Sequence, residues 1–354
     1  MNIFNLLRHS KRMFYKKGLP IQLIFFVTNR CNSKCIHCFY KNNLNQKTDE
    51  LTVDEIESFS KTLKSVLWLA LTGGEPYLRK DFPEITKVLY KNMRPEIITI
   101  TTNAIQKEKT ILDTVSILKE CKKSNIMVYV SIDGLNQTHE KIRGVSGCFG
   151  NTISTFKELQ KLKANFKNFS LSTITTLNPL NQEEIPLLME FIQKELRPDN
   201  MFLNLLRGDA VDKTTKEASI KKYLEFFKLR DLLYAQPKPN FLKKILQSKE
   251  RIQHRLIAET YEKNKFITPC YAGNLSAVIN ETGDVYPCEM LDKKMGNLRK
   301  SNYNFPELWF SKQADEVRDY IKRSKCFCTY ECAMTTNVFF NPAYIPKIIA
   351  NYFK

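Results

Sequence analysis

The chain lacks any apolar run long enough to cross a bilayer. The longest, Val66 to Leu71, is strand-sized, far short of the roughly 18–20 residues a spanning helix needs. It also lacks a convincing export signal. Residues 1–20 carry Arg8, Lys11, Arg12, Lys16 and Lys17 with no acid, and Ile21–Val27 is mostly apolar. That stretch is short, contains Gln22, follows Pro20 and has no small-residue cleavage site, so it reads as a core strand. Internal repeats and low-complexity tracts are absent, which excludes solenoids and compositional disorder. No basic run interleaved with aromatics stands out, so nucleic acid ranks last among partners. A cytoplasmic protein is expected, with peripheral attachment to a membrane as the alternative location.

What is present is an ordinary globular composition with two biases. The 354 residues are 43% hydrophobic and 26% charged, enough for one large domain or a core with a satellite. Lys and Arg exceed Asp and Glu by 55 to 37, a net charge of +18. A lysine-rich solvated surface accounts for this. Docking of an acidic electron donor such as flavodoxin or ferredoxin, or of an anionic lipid surface, would use it. The second bias is ten cysteines. Without an export signal they point to metal rather than disulfides. They form two groups, Cys31/Cys35/Cys38 and Cys270/Cys288/Cys326/Cys328/Cys332, with Cys121 and Cys148 as isolated buried thiols.

From Pro20 to Leu206 short apolar runs alternate with amphipathic stretches. Strands are expected at Gln22–Thr28, Val66–Thr72, Ile97–Thr102, Met127–Ile132, Phe169–Thr176 and Met201–Leu205. Helical patterns fill Val53–Leu63, Asp81–Lys91, Lys109–Cys121, Thr152–Leu162 and Glu183–Leu196. Thr52 and Glu55 have capping-box spacing. About six strand–helix alternations imply an α/β fold with a parallel sheet, open or curled into a barrel, and functional loops after the strands' C-terminal ends. The expected organisation is a basic extension over 1–19, a core over 20–206, a helical linker over 207–265, a small cysteine-rich domain over 266–340 and a tail over 341–354.

Cys31-Asn-Ser-Lys-Cys35-Ile-His-Cys38 follows the first strand directly. Three thiolates within eight residues can wrap one compact cofactor, and soft sulfur selects iron–sulfur clusters or zinc. A structural zinc wants a nearby fourth ligand, which is missing.

This CxxxCxxC run resembles the signature of the radical S-adenosylmethionine (SAM) superfamily, and further motifs of that family occur in order. Thr72-Gly73-Gly74-Glu75-Pro76 resembles the segment that holds the amino group of the methionine moiety. Thr101-Thr102-Asn103-Ala104 is similar to a Thr-Asn-Gly ending the third strand. Ser131-Ile132-Asp133-Gly134 resembles a Ser-Leu-Asp-Gly near the ribose. Arg143 stands where the family binds the methionine carboxylate, and His37 where a residue packs on the adenine. The resemblance implies a partial (β/α)6 barrel with a [4Fe-4S] cluster on Cys31, Cys35 and Cys38. SAM would bind to its open iron. One electron from the cluster would break a carbon–sulfur bond, giving a 5′-deoxyadenosyl radical that removes hydrogen from an unactivated carbon.

The second cysteine group begins with a hairpin pattern, Ala277 to Pro287, turning near Glu281–Gly283 between Cys270 and Cys288. It resembles the SPASM and twitch extensions of the superfamily, which implies an auxiliary [4Fe-4S] cluster. The expected ligands are Cys270, Cys288, Cys332 and either Cys326 or Cys328, with structural zinc as the bland alternative. Full SPASM domains carry more cysteines at wider spacing.

The resemblance fixes a reaction type and leaves the substrate open among a peptide side chain, a sugar and a lipid-linked alcohol. Met1–Lys17 and Tyr344–Lys354 mix cations with apolar residues, as interfacial or core-capping helices do. Arg207-Gly208-Asp209, at the end of the sixth strand, could line a substrate pocket. The competing class is a non-catalytic zinc or iron–sulfur scaffold that binds nucleic acid.

Overall fold

The computed structural model describes residues 18–208, 217–234 and 241–352. Six parallel strands stand side by side in the order β6-β5-β4-β3-β2-β1: β1 (Gln22–Thr28), β2 (Trp68–Gly73), β3 (Ile97–Thr102), β4 (Asn125–Ser131), β5 (Phe169–Leu177) and β6 (Met201–Leu205). Helices connect them: α1 (Val53–Leu63), α2 (Phe82–Met93), α3 (Lys107–Glu120), α4 (Asn136–Arg143), α5 (Cys148–Lys161) and α6 (Ile185–Phe191), the last running into a π-helical turn over Ile192–Leu196. This is the parallel α/β arrangement expected from the alternation.

The sheet does not close on itself. The far edge of β1 takes β7 (Ser276–Ile279) in parallel, followed by antiparallel β8 (Asp284–Tyr286) and β9 (Gly296–Asn297), making nine strands in one sheet. The anticipated hairpin is therefore continuous with the core sheet. All seven residues of β1 are buried, as befits a strand paired on both edges and covered on both faces.

Elsewhere the two-residue period of a strand sorts side chains between faces. Leu69 and Leu71 of β2, Ile98 and Ile100 of β3, and Val128 and Val130 of β4 are fully buried among the helices. Their neighbours Ala70, Thr72, Thr99, Thr101, Tyr129 and Ser131 line a cavity on the other face. Small and polar side chains there leave room for a ligand.

The remaining helices are α7 (Ile220–Leu233), α8 (Phe241–Lys263), α9 (Phe305–Trp309), α10 (Lys312–Arg323), α11 (Glu331–Phe339) and α12 (Ile345–Tyr352). The stretch read as a helical linker forms α7 and α8. They pack on β6 and α11 and, with α11, complete the cavity wall. Helix α12 buries Ile348 against Ile252 and Val338 while Ile345 and Ile349 stay exposed. The basic stretch 1–17 and Asp209 lie outside the described residues, among which no helix is long and apolar enough to cross a membrane.

Two clasps join the C-terminal segment to the core. The capping box forms, with Glu55 accepting from the Thr52 amide at 2.8 Å. The same carboxylate accepts from Arg299 Nε at 2.6 Å and Tyr303 Oη at 2.7 Å. Tyr40 Oη, just past the cysteine loop, donates to Glu281 in the β7–β8 turn at 2.6 Å.

Candidate functional site

The loop carrying Cys31, Cys35 and Cys38 is held from three sides. Gly74 N donates to Thr28 O and Glu75 N to Arg30 O, both at 2.8 Å. A Cβ on Gly73 would lie 2.3 Å from Thr28 O, and one on Gly74 2.2 Å from Arg30 O. Only glycine lets the end of β2 press this closely on the backbone that launches the loop. From the far side, Lys34 N donates to Arg143 O at 2.9 Å and Ile36 N to Ile142 O at 3.0 Å, so α4 braces the loop's middle. Asn103 supports it from β3, its Nδ2 donating to Asn32 Oδ1 at 2.7 Å and Ser33 Oγ at 3.1 Å.

The three thiols line a cavity of about 340 Å³ together with His37, Gly73, Gly74, Glu75, Asn103, Ser131 and Arg143. Pro76 and Asp133 do not line it. Pro76 is buried at the start of a 3₁₀ turn. Asp133 lies behind the wall, fully buried, with Arg143 Nη2 2.7 Å from its Oδ2 and His37 Nε2 at 3.8 Å. The arginine's Nη1 reaches Cys35 Sγ at 3.6 Å, and its Nε is buried without a partner.

Burial dominates the electrostatics. It pushes the Cys31 thiol up to about 12 and Cys38 to about 11, with mutual repulsion among the three adding to it. Without a metal these groups hold their protons, and a cationic centre is what draws out the thiolates. Burial lowers His37 to about 4, leaving it neutral, and its Nδ1 has no partner. Burial also raises Glu75 to about 7 although it accepts from Thr102 Oγ1 and Asn103 N, each at 2.7 Å.

The thiols of the second group have two kinds of surroundings. Burial raises the thiols of Cys270, Cys288, Cys326 and Cys328, and repulsion from other thiols of the group adds to it at Cys270, Cys288 and Cys328. Cys332 packs with Cys328 against the same small apolar cluster but has different charged neighbours. It lies in the first turn of α11, lines the cavity, and faces Glu289, Arg207, Tyr330 and Glu331. Cys326 and Cys328 precede the helix.

All ten cysteines are free thiols. Among the described residues no three His, Cys, Asp or Glu side chains close around a single ion. The cysteine triplet instead rings open space, the wider requirement of a multi-iron cluster. With the unpaired Arg143 Nε and His37 Nδ1 beside it, the site fits both a cluster and a polar ligand at that cluster.

The far wall holds residues that spacing did not reveal: Glu289, Lys249, Gln253 and Glu331. Arg207, singled out from its place after β6, lies there too, between the rings of Phe39 and Tyr330 at 4.7 and 4.3 Å, with Nη2 2.9 Å from Glu289.

Residues 25–192 match the model of the radical SAM superfamily, and residues 270–333 match SPASM, an iron–sulfur cluster-binding domain. The chain belongs to the radical SAM superfamily. The radical SAM chain is 27% identical over 335 residues to the AdoMet-dependent heme synthase of Methanosarcina barkeri, covering 90% of this chain and 91% of that protein. It is 26% identical to the subtilosin biosynthesis protein AlbA of Bacillus subtilis, covering 87% of this chain and 65% of AlbA. Its fold resembles the crystal structure of SuiB of Streptococcus suis bound to S-adenosylmethionine, with a TM-score of 0.62 and 17% identity, over 89% of this chain and 72% of SuiB. The same protein has been solved with its precursor peptide SuiA. The protein is therefore an enzyme with a SAM-cleaving [4Fe-4S] cluster, auxiliary iron–sulfur binding and SAM as cofactor. Those groups supply reductive cleavage of SAM and the 5′-deoxyadenosyl radical that takes hydrogen from substrate. The non-catalytic scaffold is set aside.

Proposed function

We propose that the cavity is a single reaction chamber, with SAM held at its cysteine-loop end and substrate at the end walled by α7, α8 and α11. The observation that carries this reading is the shared lining. Cys31, Cys35, Cys38 and Arg143 face the same space as Arg207, Glu289, Glu331 and Cys332.

In this reading Cys31, Cys35 and Cys38 ligate the SAM-cleaving cluster. Arg143, held between Asp133 and Cys35, meets the methionine carboxylate with its unpaired Nε. Glu75 takes the amino group, a cation that stabilises the ionised carboxylate which burial otherwise disfavours. Asn103 and Ser131 bound the nucleoside, and His37 packs against it as a neutral ring. Gly73 and Gly74 set the loop's height, Pro76 starts the turn that follows, and Asp133 fixes Arg143. Cys270, Cys288, Cys326 and Cys328 hold one auxiliary [4Fe-4S] cluster, leaving Cys332 as a chamber thiol.

Two kinds of relative bear on the substrate. AlbA and SuiB are named for peptide products or bound to a precursor peptide, while the heme synthase aligns over nearly its whole length. A peptide or a small molecule therefore enters from the helical end. An acidic flavodoxin- or ferredoxin-like protein supplies the electron, drawn by the net charge of +18.

The test is anaerobic reconstitution of the full chain, followed by measurement of 5′-deoxyadenosine formed from SAM with dithionite. Wild type forms it. Cys35→Ala, with its fold retained by circular dichroism, does not; an equal yield from that variant would overturn the assignment.

A further inference from the structure

Lys249, in the middle of α8, is a buried amine that the chemistry above leaves idle. It is 7% exposed, and what exposure it has is toward the chamber. Its Nζ donates to Gln253 Oε1 at 2.7 Å and reaches Thr335 Oγ1 only at 3.5 Å. Among the described residues no carboxylate stands within ion-pair distance of it. Its sequence neighbour Glu250 is committed to Arg230, 2.8 Å away.

The other chamber cations are matched. Arg207 faces Glu289, and Arg230 is held by both Asp231 and Glu250. A buried ammonium without a paired counter-charge is costly, and here burial lowers the pKa of Lys249 more than the attraction of nearby Glu250 raises it. Gln253 nevertheless locks the amine in place. Its Oε1 also accepts from Thr335 Oγ1 at 3.0 Å, and its Nε2 donates to Glu331 O at 3.1 Å, tying α8 to α11. An ammonium carries three N–H donors; Gln253 engages one of them well.

We propose that Lys249, positioned by Gln253 and through it by Thr335, is the receptor for a carboxylate of the substrate. One uncompensated positive charge suits a singly charged carboxylate better than a phosphate dianion. Glu331 Oε2, buried without a partner in the same wall, offers an acceptor for an N–H or O–H of that substrate and opposes a second negative charge. The carboxylate belongs either to an acidic peptide side chain or to a small organic acid. This inference rests on the chamber being the substrate site proposed above.

The experiment uses the reconstituted full chain with SAM and ligand-observed NMR to compare matched pairs. Hexanoate is set against hexanamide, and an end-blocked short peptide with an internal glutamate against its glutamine twin. In at least one pair wild type should favour the acid about tenfold or more, the scale of one charged hydrogen bond. The pair that shows the preference identifies the source. Lys249→Met should abolish the preference and Lys249→Arg should keep it. Equal affinities in both pairs, no binding of either acid in the millimolar range, or a preference that persists in Lys249→Met would each overturn the proposal. Should Lys249→Met not fold, the wild-type pairs and Thr335→Val, expected to lose about threefold of the preference, decide the matter. Formation of 5′-deoxyadenosine by wild type is measured separately. Its absence would strike the chamber reading while leaving the acid–amide comparison intact.

Discussion

The two cysteine groups are assembled by different means. Cys31, Cys35 and Cys38 lie within one loop, clamped by β2, β3 and α4, so local spacing already brings them together. Cys270, Cys288, Cys326 and Cys328 come from three separate segments and meet because β7 and β8 extend the core sheet beyond β1. In the proposed assignment a three-thiol loop leaves a coordination position for SAM, whereas four thiols close a site, as open and closed metal sites do generally.

The largest effects should come from the ligands themselves. Cys288→Ser is expected to remove about half the bound iron, whereas Cys332→Ser should leave iron content at the wild-type level. Iron and sulfide analysis after identical reconstitution checks this. Loss of iron on replacing Cys332 would return it to the auxiliary site and break the contrast.

Arg143 comes next. It faces Asp133, which is fully buried, and removing one partner of a buried ion pair costs about 3–5 kcal/mol. Arg143→Met should show that loss in chemical denaturation of the SAM-free protein. Arg299→Ala, at the half-exposed clasp on Glu55, should cost only about 1–2 kcal/mol, because water can replace part of what is lost.

Glu75 gives the first site a pH signature. Burial raises its pKa from 4.5 to about 7. Between those values the folded chain keeps a proton that the unfolded chain has released, so stability falls as pH rises through the window, by about 3 kcal/mol for this group. Buried Glu331, also raised to about 7, adds to this fall, and buried His37 and His139, lowered to about 4, oppose it. Glu75→Gln should therefore remove one contribution, read as the difference from wild type in denaturation midpoints taken from pH 4.5 to 7. A bound SAM amino group should lessen the same contribution, by favouring the carboxylate.

The smallest effect is at a strained backbone position. Ala104 sits at φ 56, in the left-handed region, at the end of the Thr-Thr-Asn-Ala run. Its methyl is fully buried in the core, so in Ala104→Gly the relieved strain and the lost burial offset each other, and the melting temperature should move by less than the equivalent of about 1 kcal/mol.

The core was largely legible in the sequence. The ends of β1, β3, β6 and α1 fall where periodicity placed them, because strong apolar alternation and the Thr52 cap leave few alternatives. Helix α4 escaped notice. It is eight residues long and mostly polar, burying His139, Ile142 and Arg143, so its pattern is faint even though it carries a central arginine. The second cysteine group was legible as a group, while the surroundings of its last thiol were not. Cys326-Phe-Cys328-Thr-Tyr-Glu-Cys332 looks continuous in one dimension, and the entry into α11 is what turns its last thiol to the chamber. Lys249, Gln253 and Glu331 carry no motif; only the packing of α8 against α11 makes them neighbours.

The claim that the cysteine loop, and not the second group, is where SAM meets iron can be tested by electron–nuclear double resonance. The reduced protein would be mixed with SAM labelled with ¹⁵N and ¹⁷O in its methionine moiety. Coupling of the labels to a cluster signal is predicted in wild type and should vanish in Cys35→Ala while the auxiliary cluster's signal persists. Coupling that survives in Cys35→Ala, or is absent from wild type, would contradict the account.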